Sequence, residues 1–271
     1  MRCLAWSATI VFAKLRAVID AMLPGPWPVV LYGMLVAIFA GWVRGFGGFG
    51  LSAFLVAGMS LWLSPQSIVP AAMMLEILAS LSLLRSVWPQ VSWHWIRPLI
   101  AGYAVSVPLG VWCLSVLPEQ PLRLAVSTLI LAMALTILSG FRPKWGDGIG
   151  VRFGTGLVSG FMSGLSSVGG MVAATMLFTT SLSAARLRAT LIALFFLSSS
   201  YGLIWAGQRG LIHRTTLLWS VWLFAPMLLG IAIGRHGFAK ASDAQFRRAM
   251  LGVLAAVAAL GVLRALWGGF A

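Results

Sequence analysis

The sequence predicts an all-α polytopic membrane bundle in two homologous halves. Three observations predict it. Hydrophobic residues make up 60% of the 271 residues and charged residues only 9%, whereas a soluble domain carries about 25% charged residues. The apolar residues fall into long, nearly charge-free runs between short polar loops, the pattern of helices that sit in hydrocarbon. Positions 119 apart (169 − 50) match repeatedly: Gly41/Gly160, Gly45/Gly164, Gly50/Gly169, Leu63/Leu182, Ser64/Ser183, Leu78/Leu197 and His94/His213. Internal repeats in a membrane protein are a transporter signature.

The segments follow in order. Residues 1–26 open with Arg2 and an apolar run to Ala13. Lys14, Arg16 and Asp20 then interrupt it, with no small-x-small cleavage site. This is expected to be an interfacial amphipathic helix, ended by Pro24-Gly25-Pro26. The first repeat, 27–140, holds apolar segments at 29–43, 49–63, 68–84, 98–117 and 122–140, with a wet loop at 85–95. A polar connection, 141–150, carries Arg142, Lys144 and Asp147. The second repeat, 151–271, holds segments at 151–164, 169–180, 187–206, 216–234 and 249–267, with loops at 207–215 and 235–248.

The first two segments of each half are short for a bilayer, about 18–24 Å at 1.5 Å per residue. Each pair meets at a Gly/Ser-rich break. A pair is either a helical hairpin dipping into the membrane or two crossings of a thinned region. Both give an even number of crossings, so three further segments make each half odd and the repeat inverted. A break at mid-membrane that leaves one kinked crossing would instead make the halves parallel. In the odd layout eleven cations fall on the side of the middle loop and seven on the side of the termini. That bias places the middle loop in the cytoplasm.

Lys+Arg number 19 against 5 Asp+Glu, a formal charge of +14. The cations are scattered over short loops with no basic tail, so the excess points to anionic lipid headgroups rather than nucleic acid. It also favours anionic substrates. Cys3 and Cys113 form no CxxC, metal quartet or disulfide framework. No cofactor is expected.

The first candidate motif is Gly41-x-x-Arg44-Gly45-Phe46-Gly47-Gly48-Phe49-Gly50. Its partner runs from Gly160 through Ser163, Gly164, Ser166 and Ser167 to Gly169 and Gly170. A break here exposes the first N–H groups of a new helix, and such ends bind anions. Facing pairs of these ends build the sites of inverted-repeat transporters. The competing reading is packing, because Gly41-x-x-x-Gly45 and Gly160-x-x-x-Gly164 are both GxxxG. A dinucleotide reading of Gly45-x-Gly47-x-x-Gly50 fails for want of a preceding strand and a following acid.

The glycine breaks, the duplication, and the Leu63-Ser64-Pro65-Gln66 turn with its partner Leu182-Ser183-Ala184-Ala185 resemble the TauE/SafE sulfite exporter family. It is also known as the toluene-sulfonate uptake permeases. The resemblance spans Pro28 to Trp267. The family pattern is close to G-x-x-G-x-x-G-x-G-G-G. Here Phe49 interrupts the first copy, and Ser166 and Ser167 replace glycines in the second. The resemblance implies transport of sulfite, sulfonates and related organosulfur or carboxylate anions.

The candidate substrate-binding residues are therefore Arg44, Gly47, Gly48, Phe49, Gly50, Ser166, Ser167, Gly169 and Gly170. Glu76 is the sole acid inside an apolar segment, which marks it as a coupling candidate, a partner for Arg44, or structural glue. Its repeat mate is Phe195. Arg44 can neutralise an anion or snorkel. Arg186 and Arg188 read as topology signals, and His94 and His213 as interfacial polar groups or pH sensors.

Secondary transport of a small organic or sulfur-containing anion across the cytoplasmic membrane is the leading expectation. No Walker A motif is present, so the drive is an ion gradient or the substrate's own gradient. Two other classes are testable. An intramembrane enzyme would draw on Ser163, Ser166 or Ser167 with His213 or His236, but the G-x-S-G pattern is incomplete. A passive channel would need a continuous polar lining, and Ser198-Ser199-Ser200-Tyr201 is the best polar run.

Overall fold

A computed structural model of the chain describes residues 23–60, 62–138, 148–240, 242, 244–246, 249 and 252. The expected interfacial segment before Leu23, most of the middle connection and the final segment, 249–267, lie outside the described residues, apart from isolated positions. Among the described residues the chain is helical, with no strand. The helices are α1 (Trp27–Gly47), α2 (Leu51–Met59), α3 (Pro65–Val87), α4 (Trp93–Val116), α5 (Glu119–Leu138), α6 (Ile149–Ser166), α7 (Gly170–Phe178), α8 (Ala184–Gln208) and α9 (Arg214–Lys240). A 3₁₀ turn, Trp88–Gln90, joins α3 to α4. Among the described residues five helices are long and apolar enough to cross a membrane: α1, α3 with its 3₁₀ extension, α4, α8 and α9.

The helix bounds answer the expectation of two short segments per half. α1 has 21 residues and α6 has 18, or about 31 and 27 Å. Only their successors are short, at nine residues each. The expected boundaries fell too early because Gly45, Gly47 and Gly164 do not break the helices they sit in. Gly45 and Gly164 are packing positions within them, and Gly47 is the last residue of its helix. The breaks come later, at residues in the left-handed region. Gly48 has φ 76° and Gly50 has φ 94°. In the second half Ser167, at φ 57°, takes the place of Gly48. The wet loop expected at 85–95 is also mostly helical, and α9 runs through the expected loop start at Arg235 to Lys240.

The 119-residue spacing recurs in these bounds. Gly47 and Ser166 end α1 and α6, Leu51 and Gly170 open α2 and α7, and Pro65 and Ala184 open α3 and α8.

α2 runs back along α1: Gly50 meets Val43, Gly58 meets Val36, Gly33 meets Met59, and Tyr32 donates to the Gly58 carbonyl at 3.4 Å. In the second half Gly169 lies against Ser159, whose hydroxyl donates to the Gly169 carbonyl at 2.9 Å. Two glycine-lined seams hold the outer helices. α1 runs parallel to α9, with Gly41 and Gly45 on the backbone of Met227 and Ile231, and Gly230 and Gly234 on that of Ile38 and Trp42. α4 runs parallel to α6, with Gly102 and Gly110 on the backbone of Phe153 and Phe161, and Gly156 and Gly164 on that of Leu99 and Val107. Without a hydrophobic drive between helices in lipid, such close backbone approach supplies the dispersion that joins them.

α3 and α8 form the centre and run antiparallel: Met73 touches Gly202 at one end, and Thr190 Oγ1 accepts from Ser92 N–H, just beyond α3, at 3.1 Å. The outward faces of α1, α4 and α9 carry apolar side chains at helical spacing. Leu31, Leu35 and Phe39, then Val105, Leu109 and Trp112, then Val221, Leu229 and Ile233 are all exposed. These are lipid-facing stripes.

The seams make a direct prediction. A side chain at Gly45 collides with the Ile231 backbone, whereas nothing lies within 4 Å of a Cβ at Gly154. Gly45→Leu is expected to destabilise the protein by about 1–3 kcal/mol or more. Gly154→Ala should stay within about 1 kcal/mol of wild type. Unfolding in detergent micelles, followed by circular dichroism, measures both.

Candidate functional site

α1 ends inside the protein, so its last carbonyls need donors. Two buried arginines supply them. Arg44, in the last turn, donates from Nη1 to the Gly48 carbonyl. Arg188, from the second turn of α8, donates from Nη2 to the Gly45 carbonyl at 2.7 Å. A Cβ at Gly48 would overlap the Arg188 side chain, so glycine there serves both the left-handed turn and the approach of Arg188. The arginine charges also suit the negative end of the helix dipole. Arg188 is therefore no topology signal. It is buried and stacked 4.5 Å over Phe238, while Arg186 remains exposed.

The start of α2 has the opposite need. Its free N–H groups require acceptors. Glu76, near the middle of α3, provides one: Oε2 accepts from the Ser52 N–H at 3.3 Å. Oε1 faces Arg44 Nη2 at 3.0 Å, and the same Nη2 donates to Ser80 Oγ at 2.6 Å. Both partners are buried, Arg44 at 0% and Glu76 at 2% exposure. The Arg44 guanidinium also lies 5.2 Å from the centre of the Phe195 ring. Glu76 thus joins the two helix ends of the first break.

Beside this pair, with Glu76 in its wall, is a small cavity. Its polar lining is Ser52, Glu76, Ser163, Ser167, Ser198 and Ser199, with the Gly170 backbone. Met73, Val107 and Phe195 close its apolar side. These residues come from the starts of α2 and α7, the end of α6 and the middle thirds of α3, α4 and α8.

Of the residues selected from sequence, Glu76, Ser167 and Gly170 reach the cavity. Arg44 stands behind Glu76. Gly47 and Gly48 form the turn at the end of α1, and Gly50 caps α2. Phe49 is buried edge-on against Phe178 at 5.7 Å. The Ser166 hydroxyl is turned back to the Met162 carbonyl at 2.7 Å. Gly169 lies against Ser159 and Ser163. Ser198 and Ser199, the start of the polar run on α8, line the cavity. Ser200 and Tyr201 instead bond the carbonyls of Phe196 and Ala104.

Ser52, Met73 and Val107 were not selected from sequence; nothing but their helix register sets them apart. Ser163 entered as part of the second glycine/serine motif and as an enzyme candidate, not as a substrate-binding residue. Its signal was the repeat spacing, which makes it the mate of Arg44. The histidines lie elsewhere. His94 is in the first turn of α4 and shares a 2.7 Å hydrogen bond with Arg152 Nη1, while Arg152 stacks 4.0 Å over Trp95. His213 is exposed just before α9. Among the described residues there is no cluster of three or more side chains suited to a metal.

The fold and the site define a polytopic helical membrane protein with paired interrupted helices around a buried polar cavity. Residues 33–260 match the family model described as sulfite exporter TauE/SafE. The chain belongs to that family, whose members are membrane transporters of sulfur-related anions. No curated protein and no solved structure matches it.

The ion pair carries the next prediction. Arg44→Gln leaves Glu76 buried without its cation, and breaking a buried pair from one side costs about 3–5 kcal/mol. The double variant Arg44→Met/Glu76→Met is expected to regain most of that loss. A double-mutant cycle on unfolding in detergent reads the coupling.

Proposed function

We propose that the chain is a secondary transporter built as an inverted repeat, moving a small sulfur oxyanion, sulfonate or related organic anion across the cytoplasmic membrane. One observation carries this reading: the cavity gathers both interrupted-helix starts and five serine hydroxyls at the mid-length of the central helices. In a membrane that depth is where transporter sites lie.

The repeat is supported by the shared helix bounds and by the direction of α3 and α8. These two helices stand 119 positions apart and run antiparallel, as repeat mates do when the halves are inverted. The back-folded α1–α2 and α6–α7 pairs then act as re-entrant hairpins whose tips reach the cavity from opposite sides.

The two tips are not equivalent. At the first, the Ser52 N–H is already taken by Glu76. At the second, the mate of Glu76 is the ring of Phe195, and hydroxyls surround the start of α7. Ser163, Ser167, Ser198 and Ser199 with the Gly170 end of α7 form the seat for the anion. Arg44 stands behind it, paired with Glu76, and Phe195 and Met73 exclude water. Neutral donors of this kind suit an oxyanion with several acceptor oxygens.

Purified protein in liposomes tests this. Sulfite, methanesulfonate, taurine, sulfoacetate and a dicarboxylate are offered separately. Saturable uptake of at least one sulfur anion is expected. No uptake of any by folded protein overturns the proposal, and a sustained ion current without saturation would mark a channel. Ser198→Ala and Ser199→Ala should each raise KM about fivefold, the effect of one lost hydrogen bond of roughly 1 kcal/mol. Unchanged KM in both would remove α8 from the seat.

A further inference from the structure

Glu76 occupies the position an anionic substrate would take at the first hairpin. Its carboxylate accepts from a helix-start N–H, pairs with a buried arginine and lines the cavity at once. We propose that Glu76 is a tethered anion that the substrate displaces, and that its displacement couples transport of one monoanion to one proton. This rests on the anion-transport reading above and specifies its driving ion.

The argument is one of charge. Arg44 and Glu76 together are neutral. An incoming monoanion that moves from the serine seat beside Gly170 onto Arg44 Nη2 and the Ser52 N–H leaves the Glu76 carboxylate without either partner. Among the described residues the other buried cation close to Arg44 is Arg188, and it is held by the Gly45 carbonyl and the Phe238 ring. Arg44 is the charged group that faces it from α1, and α2 offers none. On α8 the ring of Phe195 lies at that level, and Arg188 is engaged at Gly45. The charged residues of α9, namely Arg214, Arg235, His236 and Lys240, are exposed near the helix ends, as is Arg85 on α3. On α4 and α6, His94 and Arg152 hold each other, Arg97 is exposed, and the Tyr103 hydroxyl lies beside Ser159 and Ser163. On α5, Glu119 and Arg123 pair with one another.

A carboxylate stranded in a low-dielectric interior binds a proton. The proton comes from the side on which the anion entered. The site's net charge is then unchanged: one negative carboxylate has become neutral and one negative substrate has arrived. On the far side the anion leaves, Glu76 releases its proton and the pair with Arg44 re-forms. The cycle moves one proton with one anion and no net charge.

The test uses proteoliposomes with an internal pH dye and a potassium–valinomycin voltage clamp. Methanesulfonate and sulfite are offered in parallel. A sulfonate keeps its charge across neutral pH, so any proton that moves with it is carried by the protein. Wild-type uptake is expected to acidify the lumen by one proton per sulfonate and to be indifferent to the clamped potential. A one-unit pH gradient is expected to sustain about tenfold accumulation. Glu76→Gln stays neutral at every pH. Its uptake is expected to lose proton movement and pH-driven accumulation, and to respond to an inside-positive potential. Uptake by wild type that carries charge and no proton overturns the inference, as does pH-driven accumulation retained in Glu76→Gln. Proton counting on wild type decides the matter even if the variant fails to fold. Absence of flux for both anions defeats the transport reading itself, and the coupling with it.

Discussion

The buried pair between Arg44 and Glu76 is the interaction on which the centre of this protein depends. Helices cross membranes because they satisfy their own backbone. An interrupted helix gives up that advantage, exposing carbonyls at one end and N–H groups at the other. Here the chain answers with side chains of matching sign. Arg44 and Arg188 serve the carbonyl end of α1, and Glu76 serves the N–H end of α2. Two unlike charges then lie close enough to neutralise each other at 3.0 Å. Burying either alone would be far more expensive than burying both. The interruption, the pair and the cavity beside it are a single solution to the problem of ending a helix away from water.

The glycine seams make that solution geometrically possible. α1 meets α9, and α4 meets α6, backbone to backbone. Each seam fixes the depth and rotation of a long helix, and through it the height of the attached hairpin tip. Arg44 falls one residue before Gly45, which lies on Ile231. Ser163 falls one residue before Gly164, which lies on Val107. The same glycine that locks a helix into its seam thus sets where the neighbouring polar residue points.

The class of fold was legible because it depends on composition and run length, which lipid constrains strongly. The 119-residue spacing was legible because glycine and loop residues kept it, and the helix bounds share it. The hairpin break was placed a few residues early, and the reason is physical. Glycine permits a break but does not impose one. Gly45 sits within helix because a partner backbone needs its missing side chain, whereas Gly48 turns because its φ is positive. Only the neighbouring helix distinguishes these cases. Ser167 was harder still, since a serine at φ 57° carries no local signal beyond its position opposite Gly48 in the repeat. Glu76 was visible as a lone acid in an apolar run. Its tie to the Ser52 N–H was not, because the backbone of one helix meeting the side chain of another leaves no trace in the sequence pattern. Arg188 misled for the converse reason: arginine beside a loop looks like a topology signal, and what buries it is the end of α1, some 140 residues earlier in the chain.

The halves differ at the ion pair. The mate of Arg44 is Ser163, and the mate of Glu76 is Phe195. A strictly symmetric chain would carry two ion pairs in one small cavity, or none. Two pairs would add a second desolvation cost and fill the space a ligand needs. No pair would leave the end of α1 with Arg188 as its one arginine donor. One pair and one hydroxyl-lined tip avoid both. The first half supplies charge already balanced, and the second supplies neutral hydrogen-bond donors and an aromatic wall. Phe195 belongs to both: its ring faces the Arg44 guanidinium on one side and rests on Gly170, at the start of α7, on the other. A change at the ion pair therefore reaches the second tip through a single rigid side chain. That contact links the charged half of the cavity to the uncharged half without a charge of its own.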